Sequence, residues 1–200
     1  MLRSIVVLCL LWSGVCHAAE ILVFGDSLSA GFGLRADQSW PSLLQEKLAK
    51  EGYKQQVVNA SVSGETSAGG KTRLPAALAQ HKPKVVVIEL GANDGLRGLP
   101  IKLMTDNLSA MVRTARESGA KVMVVGMRLP PNYGPSYTEK FQASFGQVAQ
   151  AEGASLVPFL LDGFAQKREL FQADGMHPVA EAQPQIVENV WRVLKPLIKR

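Results

Sequence analysis

The sequence predicts an α/β domain, a three-layer α/β/α sandwich around a five-stranded parallel sheet. Two observations carry this. Five short apolar runs alternate with segments whose apolar residues recur at helical spacing, the signature of strands joined by helical crossovers. The third run, residues 85–90, is apolar on both faces, as a buried central strand should be. Short, right-handed connections then favour the flavodoxin-like strand order 2-1-3-4-5.

Taken in order, strands are expected at residues 21–24, 56–59, 85–90, 122–125 and 155–157. Helical spacing appears at Leu43, Leu44 and Leu48, at Met104, Leu108, Met111 and Val112, and at Phe141, Phe145 and Val148. Each pattern stops at a glycine (Gly52, Gly119 and Gly153, respectively), where a left-handed residue can close the last turn. His81 falls at a further helix end, ahead of Pro83. Ser136 with Glu139 resembles a capping box ahead of the Phe141 helix. The final helix carries Ile186, Val190, Val193 and Leu194, with Pro184 in its first turn.

Residues 1–18 read differently. Arg3 precedes an apolar run over 5–11, extended weakly to Val15, and small residues follow at Ala18 and Ala19. This is the pattern of a secretory signal peptide cleaved after Ala18, too short for a membrane anchor. Lipid attachment at Cys16 is the competing reading, and Val15 before it argues against that. Both cysteines, Cys9 and Cys16, fall in this leader, so the mature chain is expected to hold no thiol, disulfide or cysteine metal site. Residues 19–200 then form a single domain, periplasmic or secreted, long enough to bury a core unaided. Losing Arg3 leaves 21 basic residues against 17 acidic, a mild excess of +4. The basic residues are scattered, several of them in the last helical turn and beyond (Lys195, Lys199, Arg200), and no basic stripe with interleaved aromatics points to nucleic acid.

In a parallel sheet, ligands bind at the carboxyl ends of the strands. Four polar, glycine-rich segments gather there: Gly25-Asp26-Ser27-Leu28, Ser63-Gly64-Glu65-Thr66, Gly91-Ala92-Asn93-Asp94 and, near the C-terminus, Asp174-Gly175-Met176-His177. A serine hydroxyl needs a base to become a nucleophile. His17 leaves with the leader and His81 belongs to a helix end, which leaves His177, biased out of the α region by Pro178. Asp174, three residues earlier across Gly175, is close enough to orient the ring. Attack on a carbonyl also requires donors to the oxyanion: the Ser27 and Gly64 backbone amides and the Asn93 side chain. Singly, each segment also reads as ordinary turn chemistry, and the aspartate–histidine cluster as a surface turn.

Together these residues resemble the four blocks of the SGNH, or GDSL, hydrolases, and the resemblance spans essentially all of residues 19–200. The segments Gly95-Leu96-Arg97-Gly98-Leu99-Pro100 and Arg128-Leu129-Pro130-Pro131-Asn132-Tyr133-Gly134 are similar to the multifunctional bacterial periplasmic thioesterase and lysophospholipase subgroup. The resemblance implies a cofactor-free and metal-free serine hydrolase with the triad Ser27, Asp174 and His177 and an oxyanion hole from Ser27, Gly64 and Asn93. It implies an acyl ester, thioester, aryl ester or lysophospholipid substrate, and an apolar groove lined by loop residues such as Leu96, Leu99, Pro130, Pro131 and Tyr133. Asp26 and Asp94 are expected to brace loops. The Gly-x-Ser-x-Gly elbow of the α/β-hydrolase fold is absent, since position 29 is serine.

Two rivals remain at this stage. A metal-dependent phosphoesterase would use Asp26, Asn93 and His177 as ligands, though two histidines after residue 18 are few for a two-metal cluster. A non-catalytic periplasmic binding module on the same sheet would leave the serine–histidine match without a purpose. The mature protein is expected to act as a monomer, with no nucleic-acid partner and no stable membrane insertion.

Overall fold

The computed structural model describes residues 21–199; the leader at residues 1–18 lies outside the described residues. Strands β1 (Ile21–Gly25), β2 (Val57–Asn59), β3 (Val85–Glu89), β4 (Lys121–Val125) and β5 (Ser155–Val157) form one sheet. All pairings are parallel, and the order is β2-β1-β3-β4-β5, as the sequence predicts. Every residue of β1 and β3 is buried, because helices cover both faces. The two strands run level: Gly25 pairs with Glu89, so the segments that follow emerge side by side at the carboxyl edge.

Among the described residues, seven α-helices complete the sandwich: α1 (Ser27–Ala30), α2 (Trp40–Lys50), α3 (Ser67–His81), α4 (Ala92–Leu96), α5 (Ile101–Glu117), α6 (Pro135–Glu152) and α7 (Gln183–Leu194). α3, α5 and α6 pack in succession, and α2 packs on α7. The α2–α7 seam is fixed by Tyr53 edge-on to Trp191, with ring centroids 5.4 Å apart, and by Gln183, whose side-chain oxygen accepts the Trp40 amide at 3.0 Å. Among the described residues, no helix is long and apolar enough to cross a membrane.

Two local readings differ from the sequence expectation. α3 shows little apolar periodicity because Gly69, Gly70 and Pro75 interrupt it, and only its end at His81 is foreshadowed. Gly70 has a packing reason: a Cβ there would stand 2.3 Å from Leu90 Cδ1 and 3.3 Å from Met111 Sδ. The helix lies too close to the sheet for any side chain at that position. Second, Ser136 does not cap α6. The helix begins at Pro135, whose fixed φ suits the first turn and whose missing N–H needs no partner, while Thr138 Oγ1 bonds back to the Gly134 carbonyl at 3.0 Å.

Candidate active site

The sheet edge brings the four polar segments together. Asp26 ends the turn after β1 and caps α1, its Oδ1 accepting the Leu28 amide at 3.0 Å, which places Ser27 in the first turn facing outward. The next crossover is tied to the same strand: Val62 N donates to the Gly25 carbonyl at 2.9 Å, and Gly25 N donates to Ser61 Oγ at 3.0 Å. Gly64 then sits at φ 79°, a left-handed turn that glycine adopts without Cβ strain. Its carbonyl accepts from the Arg97 guanidinium at 3.0 Å. Among the described residues, neither the Ser27 nor the Gly64 amide donates to a protein acceptor.

His177 approaches from the other end of the chain. Its segment is shaped by the Phe171–Pro178 bridge, by Gln172 N donating to the His177 carbonyl at 2.8 Å, and by Arg168, which donates to the carbonyls of Phe171, Gln172 and Ala173. Gln172 Nε2 reaches across to the Phe32 carbonyl at 2.7 Å and so locks this segment to the one bearing Ser27. His177 Nε2 stands 2.9 Å from Ser27 Oγ, and His177 Nδ1 stands 2.7 Å from Asp174 Oδ2. The other Asp174 oxygen accepts the Met176 and His177 amides at 2.9 and 3.0 Å. Desolvation opposes ionisation of Asp174, but the hydrogen bonds from the His177 ring and from these two amides outweigh it and bring its pKa down to about 2. It is thus a fixed anion behind the imidazole. Phe32 lies against the His177 ring with centroids 4.5 Å apart.

Asn93, in α4, donates from its amide to Asp26 Oδ2 and to the Glu65 carbonyl, both at 3.0 Å. Its amide is thus engaged within the protein, where the sequence predicts a donor to the oxyanion. Asp94 braces as expected, its two oxygens accepting the Ser67 amide at 2.8 Å and the Ser67 hydroxyl at 2.6 Å. Asp26 braces too, as acceptor for Leu28 and Asn93. With its oxygens turned to N–H donors, Asp26 is not poised as a metal ligand. Among the described residues, no group of three His, Cys, Asp or Glu side chains is gathered for an ion.

Residues 23–183 match the model of the GDSL-like lipase/acylhydrolase family. The chain belongs to that family. Across 181 residues it is 55% identical to the esterase TesA of Pseudomonas aeruginosa, covering 90% of both chains. It is 40% identical to thioesterase 1/protease 1/lysophospholipase L1 of Escherichia coli K12, covering 90% of this chain and 86% of that one. Its structure superposes on that of the psychrotrophic esterase EstA from Pseudoalteromonas sp., inhibited by monoethylphosphonate, with TM-score 0.84, 43% identity and coverage of 88% and 96%. This GDSL hydrolase is therefore an ester-cleaving enzyme, and its fold is that of the SGNH esterases.

Beside Ser27 and His177 the hydrolase carries a cavity of about 490 Å³. Leu96, Pro130 and Pro131 line it as expected, but Leu99 and Tyr133 do not. These two hold the wall from behind: the Leu99 carbonyl accepts Tyr137 Oη, and Tyr133 Oη donates to the Leu96 carbonyl, both at 3.0 Å. The sequence reading missed much of the lining, including Met127 and Leu129 after β4 and Phe159 and Leu161 after β5. A strand-end rule applied to all five strands finds them. It also missed Phe32, Gln172 and Arg168, for which the sequence holds no cue. Glu89 did leave a signal, as the one charged residue in the third apolar run.

Proposed function

We propose that Ser27 is the nucleophile, His177 the general base and acid, and Asp174 the residue that orients and stabilises His177 in a two-step hydrolysis of acyl esters and thioesters. The observation that carries this is the continuous chain Asp174–His177–Ser27 at 2.7 and 2.9 Å, opening on an apolar cavity. Ser27 Oγ bonds to the substrate carbonyl carbon as its proton passes to His177 Nε2. Collapse of the tetrahedral intermediate breaks the bond to the leaving alcohol or thiol, which takes that proton. Water then attacks the acyl-serine by the same route in reverse, releasing the fatty acid and restoring the hydroxyl.

The oxyanion is held by the Ser27 and Gly64 amides, which have no protein acceptor among the described residues, and by Asn93. As negative charge grows on the substrate oxygen, it competes with the neutral Glu65 carbonyl for one Asn93 N–H, while Asp26 retains the other. The names of the relatives support aryl esters, thioesters and lysophospholipids as the substrate range. The leader pattern of residues 1–18 supports action in the periplasm or outside the cell.

The test is a fluorophosphonate with peptide mass spectrometry, run beside Ser27→Ala and a chelator-treated sample. A single adduct on Ser27 that survives chelation, with turnover lost in Ser27→Ala, is expected. Substantial turnover by purified, folded Ser27→Ala would sink the mechanism, and loss of turnover on chelation would favour the metal-dependent alternative.

A further inference from the structure

Beneath the nucleophile lies a second carboxyl that the triad does not use. Glu89 ends β3 and is fully buried, and its neighbour across the sheet, Asp26, is 1% exposed. The Asp26 amide donates to the Glu89 carbonyl at 3.2 Å and approaches Glu89 Oε2 at 3.4 Å, so the two buried carboxyl groups are close neighbours. Glu89 Oε2 accepts the Ser29 hydroxyl at 2.7 Å and the weak 3.4 Å contact from the Asp26 amide, while Oε1 has no hydrogen-bond partner among the described residues. Space is made for it by Gly25, where a Cβ would stand 2.7 Å from Glu89 Oε2.

Two carboxylates this close and this dry cannot both be ionised, so the pair holds a proton. Its location follows from the donors. Asp26 receives N–H bonds from Leu28 and Asn93 and faces the histidine side of the site, whereas Glu89 has mainly one hydroxyl. The proton therefore resides on Glu89.

We propose that neutral Glu89 is a positioning residue for the reaction: it donates a hydrogen bond to Asp26, fixing that carboxylate as the acceptor that aims Asn93 at the reacting carbonyl. This rests on the function proposed above. Burial and the adjacent Asp26 charge raise the Glu89 pKa well above the ordinary carboxylate range, in keeping with a proton held there. Without that donor, Asp26 becomes a buried anion one bond short and gains a proton. As a neutral acid it is a poorer acceptor, and Asn93 loses its anchor.

The test compares Glu89→Gln, Glu89→Leu, Asn93→Ala and Glu89→Leu/Asn93→Ala by kcat and KM. Glutamine can accept from Ser29 and donate to Asp26, so E89Q should keep kcat within about threefold. E89L should lose roughly ten- to a hundredfold in kcat with KM almost unchanged, and the double variant should fall little below Asn93→Ala alone. E89L turning over like the wild type, E89Q failing as badly as E89L, or multiplicative losses in the double variant would each overturn the inference. Infrared difference spectra of the wild type at pH 7 against E89Q provide a readout that does not depend on E89L folding. A neutral-acid C=O band lost in E89Q is expected, and its absence refutes a protonated Glu89. If Ser27→Ala or Asn93→Ala keeps full turnover, it is the underlying mechanism that fails rather than this addition to it.

Discussion

Removing the Asn93 side-chain amide separates chemistry from binding. In Asn93→Ala the proposed oxyanion hole loses one of its three donors, and such a loss costs about a hundred- to a thousandfold in kcat, or about 2.7–4 kcal/mol. The same change removes two 3.0 Å hydrogen bonds, one to the buried Asp26 carboxylate and one to the Glu65 carbonyl. Their loss destabilises the fold by roughly 2–4 kcal/mol, the bond to a charged group being the larger share. A domain of ordinary stability, roughly 5–15 kcal/mol, would still be mostly folded even near the lower end of that range. Unfolding therefore cannot supply a hundredfold rate loss, and the two effects are separable by experiment. The assay is pre-steady-state release of the leaving group from an aryl ester, giving the acylation rate and the apparent Kd separately, with a thermal melt on the same sample. A loss confined to KM, with acylation unchanged, would show that Asn93 acts only in ground-state binding and would refute the oxyanion role.

Stability should depend on pH through the buried pair. Desolvation holds Asp26 up at about 6 and Glu89 above its ordinary range, so between about pH 4 and pH 6 the folded protein binds more protons than the unfolded chain. Stability contributed by the pair therefore falls as pH rises through that window, and urea midpoints from pH 4 to 7.5 should fall less steeply for E89Q than for the wild type; parallel curves would refute the assignment. Asp174 runs the opposite way, its contribution being present above about pH 4 and lost as pH falls toward about 2. Gly70→Ala forces a methyl against Leu90 and should destabilise by about 1–3 kcal/mol in a urea melt while leaving KM unchanged. Ala165→Trp, at an exposed point of the cavity lining, should lower kcat/KM for long-chain esters about tenfold more than for acetyl esters; equal effects would mean the acyl chain lies elsewhere.

The sheet and its order were legible because strand burial on both faces writes itself as continuous apolar sequence, as in the Val85–Ile88 stretch, and because parallel strands leave few topologies. The polar segments were legible for a related reason: Asp26-Ser27, Gly64, Asn93 and Asp174-His177 all lie at strand ends or beside a proline or glycine, where backbone position follows from local rules. α3 was hidden because tertiary closeness overrode propensity. Gly70 and Pro75 weaken the helix in isolation, yet only a residue without a side chain fits against Leu90. The Gln172–Phe32 bond was illegible for another reason, since it joins residues 140 apart through a backbone carbonyl that carries no side-chain identity.

The chemistry proposed for Glu89 separates a positioning role from a packing role. Positions 85–88 are all aliphatic, but a leucine at 89 would leave the buried Ser29 hydroxyl without its acceptor and the Asp26 carboxylate without a neighbouring donor, and orphaning a buried polar group costs about 1–3 kcal/mol. What leucine cannot do is donate a proton to Asp26. If packing were the role of Glu89, variants would lose kcat only as far as they lose folded protein. If positioning is its role, Glu89→Leu loses far more in kcat, measured well below its melting temperature, than unfolding can supply, and Glu89→Gln holds both kcat and stability. A kcat loss in folded Glu89→Leu, together with rescue by the amide, is an outcome that a packing role does not produce.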